Sequence, residues 1–197
     1  MTNGAAGVLF YNNTILTETN AGSSANTHWS NNLMLGENSA PAILSVNTYT
    51  NYSSSDYNGF RPNPGAAYSF QWNSPPWNIP VDYGALISRA GSALVSRRFA
   101  TLAEYSRATQ QDQHSVTVDY DVFVNVPRLD AQDGNKVQKL YNAETFDFTL
   151  KPGSAAIDRG VKLPNVTDGY TGQAPDLGAL ELGQTPPHYG PRPLQQR

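Results

Sequence analysis

Val8-Leu9-Phe10-Tyr11-Asn12-Asn13-Thr14-Ile15-Leu16 is an apolar run, an asparagine pair and a second apolar run. Trp29-Ser30-Asn31-Asn32-Leu33-Met34-Leu35 repeats the pattern, and Ser55-Asp56-Tyr57-Asn58-Gly59-Phe60 repeats it loosely. Ala42-Ile43-Leu44-Ser45-Val46 supplies one more short strand between them. Very short strands that recur every 20 to 25 residues or so belong to solenoids. Asparagine at the same place in each repeat suits a turn. It tolerates the left-handed backbone region, and its amide can bond the asparagine stacked above it.

Composition agrees with a strand-and-turn architecture. The first 78 residues hold 14 Asn, Glu18 and Glu37 are the only acids before Asp56, and Lys and Arg are absent before Arg61. Asn, Ser, Thr and Gly disfavour helix interiors, so amphipathic helices do not begin this protein. Its 197 residues suit a single domain. Only 15% are charged and the net charge is −3, which gives no electrostatic reason to expect nucleic acid or an anionic membrane as partner. No apolar run approaches the roughly 18 residues of a membrane span. The chain has no cysteine, hence no disulfide, thiol nucleophile or Cys-ligated metal.

The middle departs from the repeat. Residues 62–98 are rich in aromatics and prolines around Tyr68-Ser69-Phe70-Gln71-Trp72 and Pro75-Pro76-Trp77, and read as an excursion or hairpin. Thr101, with Glu104 three positions on, forms a capping box that predicts a helix over 101–109. Residues 115–126 alternate and predict a strand, with Val116, Val118, Tyr120, Val122 and Val124 on one face. Thr117, Asp119, Asp121 and Phe123 fall on the other. The organisation expected is one domain over 1–197: repeats in 1–61, excursion and helix in 62–114, closing segment and tail in 115–197.

The closing segment resembles a known family. Phe146-Asp147-Phe148-Thr149-Leu150-Lys151-Pro152-Gly153-Ser154-Ala155-Ala156-Ile157-Asp158-Arg159-Gly160 is similar to the last coil of secreted right-handed parallel β-helix proteins, the pectate-lyase-like superfamily. So is Asp168-Gly169-Tyr170-Thr171-Gly172-Gln173-Ala174-Pro175-Asp176-Leu177-Gly178-Ala179-Leu180-Glu181, while Gln111-Asp112-Gln113-His114-Ser115 resembles the segment that follows the short helix in these proteins. Ala155 stands where such endings usually have proline. The resemblance implies an all-β, right-handed parallel β-helix with one short helix. It also implies a secreted protein acting on polysaccharide, although this superfamily spans lyases, hydrolases, epimerases and non-catalytic fibres.

Candidate chemistry follows from the residues. Asp119 and Asp121 on one strand face stand roughly 6 to 7 Å apart, near the separation an inverting glycosidase needs. Asp56, Tyr57 and Arg61 form a second polar cluster, with Tyr57 or Arg61 as base or carboxylate neutraliser. His114 can act as acid or base, histidine being the residue type that changes charge nearest neutrality. Trp72 and Trp77, with Tyr68 and Tyr83, offer flat faces to sugar rings. Each has a plain alternative, as a solvated carboxylate, a turn residue or a packed ring. His28 and His188 stand isolated and are given no role. Asp130-Ala131-Gln132-Asp133-Gly134-Asn135 lacks the ligand spacing of a calcium loop, so it reads as a turn, and neither metal nor cofactor is expected. The expected activity is glycoside hydrolysis of an extracellular polysaccharide, because cations to neutralise a uronate are scarce. A polysaccharide lyase and a non-catalytic glycan-binding or assembly module are the alternatives. Gly7 to Leu16, with no charge and no Pro, predicts an edge covered in a homodimer or by preceding segments of a longer chain.

Overall fold

The computed structural model describes residues 6–50, 52–76 and 94–185. The chain is mostly β. Seven short strands open it: β1 Ala6–Tyr11, β2 Thr14–Ile15, β3 Thr19–Ser30, β4 Leu33–Leu35, β5 Leu44–Thr48, β6 Ser54–Asp56 and β7 Gly59–Arg61. After them come β8 Phe70–Ser74, β9 Val95–Phe99, α1 Leu102–Thr109, β10 Val116–Thr117, β11 Phe123–Asn125, α2 Gly134–Val137 and β12 Asp147–Leu150. Among the described residues no helix is long and apolar enough to cross a membrane.

Pairing is parallel through the first part of the chain and follows the sequence repeat. One ladder runs β1–β3–β6, with Leu9 beside His28 and His28 beside Ser54. A second runs β2–β4–β7–β10, with Leu33 beside Gly59 and Gly59 beside Val116. The first half of β3 joins a third, β3–β5–β8, which β9 ends in antiparallel pairing. None of these sheets closes on itself. Phe70–Ser74 is therefore a regular rung of the third ladder, and the antiparallel return through β9 is the hairpin expected of this region.

The corners divide between two neighbouring residues the turn and the amide stack that the repeat assigns to one asparagine. Asn12, Asn31 and Tyr57 take positive φ (53°, 60° and 56°) and turn the chain from one ladder into the next. The asparagines behind them form a hydrogen-bonded column. Asn13 Nδ2 donates to Asn32 Oδ1 at 2.9 Å, Asn32 Nδ2 to Asn58 Oδ1 at 2.9 Å, and Asn58 Nδ2 to Asp112 Oδ1 at 3.0 Å. Asn32 and Asn58 are fully buried.

The second ladder is covered on both faces, which explains why Leu33-Met34-Leu35 is buried without alternation. Met34 and Phe60 pack with Trp29, Ile43, Leu44, Phe70, Trp72 and Tyr105. Leu33 and Leu35 pack the other way, under Val118, Val122, Phe123, Leu150 and Leu177 of the C-terminal segment. Helix α1 carries the expected Thr101–Glu104 capping box and lays Tyr105 on Phe70, ring centroids 4.9 Å apart.

The strand predicted over 115–126 is interrupted. Asp119 accepts from the Tyr120 N–H and caps a 3-10 turn, Tyr120–Val122, between β10 and β11. The turn rotates the alternation, so Val122 and Phe123 are both buried while Val124 is exposed. Beyond β10 the strand pairing among the described residues is the antiparallel pair β11–β12.

Gly178 marks how tightly the C-terminal segment closes on the second ladder. Its φ is +94°, and a Cβ there would stand 2.7 Å from Thr14 Oγ1 and 2.8 Å from Leu33 Cδ1. Gly178→Ala combines left-handed strain with overpacking and is expected to cost about 3 kcal/mol. Urea unfolding checks this, read as a lower midpoint at unchanged slope.

Candidate functional site

The corner between β6 and β7 assembles three of the residues singled out in the sequence. Asp56, at the end of β6, accepts from the Tyr57 N–H at 2.9 Å and from the His114 N–H at 2.8 Å, both on Oδ1. Its Oδ2 lies 2.7 Å from His114 Nδ1. The His114 ring stacks on Tyr57, centroids 4.6 Å apart and 11° from parallel. The left-handed backbone at Tyr57 turns that ring outward, and Asp112, the last member of the buried column, anchors the segment that carries His114. Burial raises the Asp112 carboxyl, against hydrogen bonds from Ser115 and Asn58.

Chemically this is a carboxylate–imidazole dyad on an open surface, the His114 side chain being 57% exposed. With its Nδ1 proton held by Asp56, the ring presents a free lone pair at Nε2, the arrangement of a general base. The dyad was legible only in part, because Asp56 and His114 are 58 residues apart and meet through the β7–β10 pairing.

Arg61 goes elsewhere. Its Nε donates to Asp119 Oδ1 at 2.7 Å and its Nη1 to the Gly36 carbonyl at 2.7 Å, and it is buried. Asp119 thus has two structural tasks, tying Arg61 and capping the 3-10 turn. Asp121 is exposed within that turn, so the two carboxylates do not share a strand face as expected. Trp72 is only 3% exposed and packs beside Tyr105 in the core, which withdraws it as a sugar platform. Its strand faces inward because β8 continues the third ladder. Tyr68 lies under the Arg98 guanidinium at 4.6 Å. Trp77, Tyr83 and His188 fall outside the described residues. Asp130 and Asp133 receive the backbone N–H groups of Gln132 and Asn135, as turn residues do.

One further carboxyl stands outside the candidates. Glu37 is 5% exposed and among the described residues neither oxygen has a hydrogen-bond partner, so burial pushes it up to about 7 although the Arg61 and Arg128 charges pull it back. Glu18 faces the opposite balance: burial opposes its charge, but hydrogen bonds from Ser39, Asn63 and the Glu37 N–H bring it down to about 2. A signal existed, since Glu18 and Glu37 are related by the same 19-residue step as Asn13 and Asn32.

The sign of the Glu37 effect is fixed by linkage. Its folded value lies above the ordinary 4.5, so the folded state binds the extra proton between pH 4.5 and about 7 and loses stability as pH rises through that window. Glu37→Gln is expected to flatten the fall of Tm over that range. An unchanged slope in thermal melts from pH 4.5 to 7.5 or so would assign it to other groups.

A groove of about 280 Å³ lies apart from this corner, lined by Asn12, Thr167, Tyr170, Leu180, Glu181 and Gln184. Comparison with family models, with curated proteins and with solved structures gives no match to this chain.

Proposed function

We propose that the chain is a pectate-lyase-like right-handed parallel β-helix enzyme, secreted, that hydrolyses an extracellular polysaccharide with His114 as general base. The observation that carries the chemistry is the 2.7 Å contact between Asp56 Oδ2 and His114 Nδ1. Asp56 fixes the tautomer and stabilises the imidazolium as it forms. Nε2 takes a proton from the attacking water, and the stacked Tyr57 supplies the phenol that protonates the leaving sugar oxygen. The fold reading is supported by parallel ladders at repeat spacing, by the buried asparagine column at their corner and by the closing motifs.

Charge favours hydrolysis of a neutral glycan. Eliminative cleavage of a uronate needs a cation beside the carboxylate, and Arg61, the nearest candidate in sequence, is buried on Gly36 and Asp119. Elimination stays as a second reading because the His114–Tyr57 stack pairs a base with a phenolic proton donor. A panel of neutral and uronate polysaccharides separates the readings. Reducing ends without unsaturated product support hydrolysis, and unsaturated product supports elimination. Binding without cleavage of any member makes this a glycan-binding module and overturns the catalytic reading.

A further inference from the structure

The outward face of the β1–β3–β6 ladder carries a second histidine arrangement. Along β3 the side chains of Ala25, Thr27 and Trp29 are buried, which turns Asn26 and His28 outward. On β6, Ser55 is buried and Ser54 and Asp56 face out. The register sets His28 directly beside Ser54. His28 Nδ1 lies 2.7 Å from Ser54 Oγ, and His28 Nε2 lies 2.7 Å from Asn26 Oδ1. An amide oxygen only accepts, so Nε2 carries the ring proton and Nδ1 is left to accept the Ser54 hydroxyl proton. Asn26 holds its amide there from a left-handed backbone, φ 58°, a conformation that costs a non-glycine residue energy and is found where geometry matters.

From this geometry we infer that Ser54, His28 and Asn26 form a nucleophile–base–orienter relay that cleaves an O-acyl ester. That the ester's alcohol is a hydroxyl of the polysaccharide rests on the proposed function; the acyl chemistry does not. Both contacts fall within the hydrogen-bond reach that activates a serine, and Ser54 is exposed. Ser54 Oγ attacks the acyl carbonyl and passes its proton to His28 Nδ1. The bond from carbonyl carbon to sugar oxygen breaks, and that oxygen leaves as the alcohol with the proton from His28. Water then attacks the acyl-serine ester, gives one proton to His28, and releases the carboxylic acid and free Ser54. Asn26 is a positioning residue that keeps the ring tautomer correct. Ser54 stands two residues before Asp56 on the same face, about 7 Å away, so one bound glycan reaches both sites.

The test uses the whole chain with a fluorophosphonate probe and with 4-nitrophenyl acetate. Expected is a single adduct mapped by mass spectrometry to Ser54, absent from Ser54→Ala and His28→Ala and retained in His114→Ala. Ester hydrolysis is expected to fall about 100-fold in Ser54→Ala. Asn26→Asp should keep the adduct and move the rising limb of the pH–rate profile to higher pH, because a carboxylate stabilises the imidazolium. No adduct, an adduct elsewhere, or ester hydrolysis that persists in Ser54→Ala through an exposed imidazole overturns the relay. An unshifted profile in Asn26→Asp overturns the role of Asn26. Glycan cleavage lost in His114→Ala with Ser54 still labelled separates the two sites, so failure of one is not read as failure of the other.

Discussion

Asn58→Leu is expected to lower stability by about 4 kcal/mol, the largest effect on stability of any single replacement considered. Leucine fills nearly the same space but has no polar atoms. The Asn32 backbone N–H, 3.0 Å from Asn58 Oδ1, loses its acceptor, and the Asn32 side-chain Nδ2, at 2.9 Å, loses one acceptor and keeps the Phe10 carbonyl. Asp112 Oδ1 loses one of its two donors and keeps Ser115. Each buried group left unpaired costs about 1–3 kcal/mol, and Asn32, Asn58 and Asp112 are all buried. For a chain of this size that is a fall in Tm of roughly 12 °C. Thermal unfolding followed by circular dichroism checks it, and a loss below about 1 kcal/mol would mean the column contributes shape rather than hydrogen bonding.

His114→Ala is expected to act on rate instead. Removing a general base typically costs 10²–10⁴-fold. The ring is largely exposed, and among the described residues it pairs with Asp56 and stacks on the Tyr57 face, so stability should change little. The expected result is a loss of kcat of that size on the cleaved polysaccharide, with KM and Tm near those of the unchanged chain. A matching fall in Tm would make His114 a support for the corner rather than its base.

The contrast between these two replacements shows what the amino-acid sequence carries. The asparagine column is legible because one local need recurs at every layer: the residue just after the left-handed corner both donates and accepts along the stack, and Asn13, Asn32 and Asn58 all meet it. The α1 capping box is equally local. Features that depend on register are harder to see. His28 stands alone in the sequence, and the repeat step that relates Asn32 to Asn58 carries it to Ser54. Glu37 likewise emerges from the step between Asn13 and Asn32, and its lack of partners is a property of packing alone.

The departures have physical causes as well. Alternation over 115–126 suggested one strand, but Asp119 offers the Tyr120 N–H a closer acceptor than a ladder does, and the chain turns. That single cap separates Asp119 from Asp121 and uses up Arg61. Trp72 reads as an exposed aromatic among prolines, yet β8 pairs with β5 and turns its ring inward.

The most direct measurement is a crystal structure of the protein with bound oligosaccharide from a polysaccharide it cleaves, soaked into His114→Ala to prevent turnover. The sugar chain is predicted to lie across the corner of Asp56, Tyr57 and residue 114, with a glycosidic bond within about 4 Å of where the imidazole would stand. An oligosaccharide seated in the groove of Tyr170 and Glu181, with that corner empty, would contradict the assignment of His114 as the base.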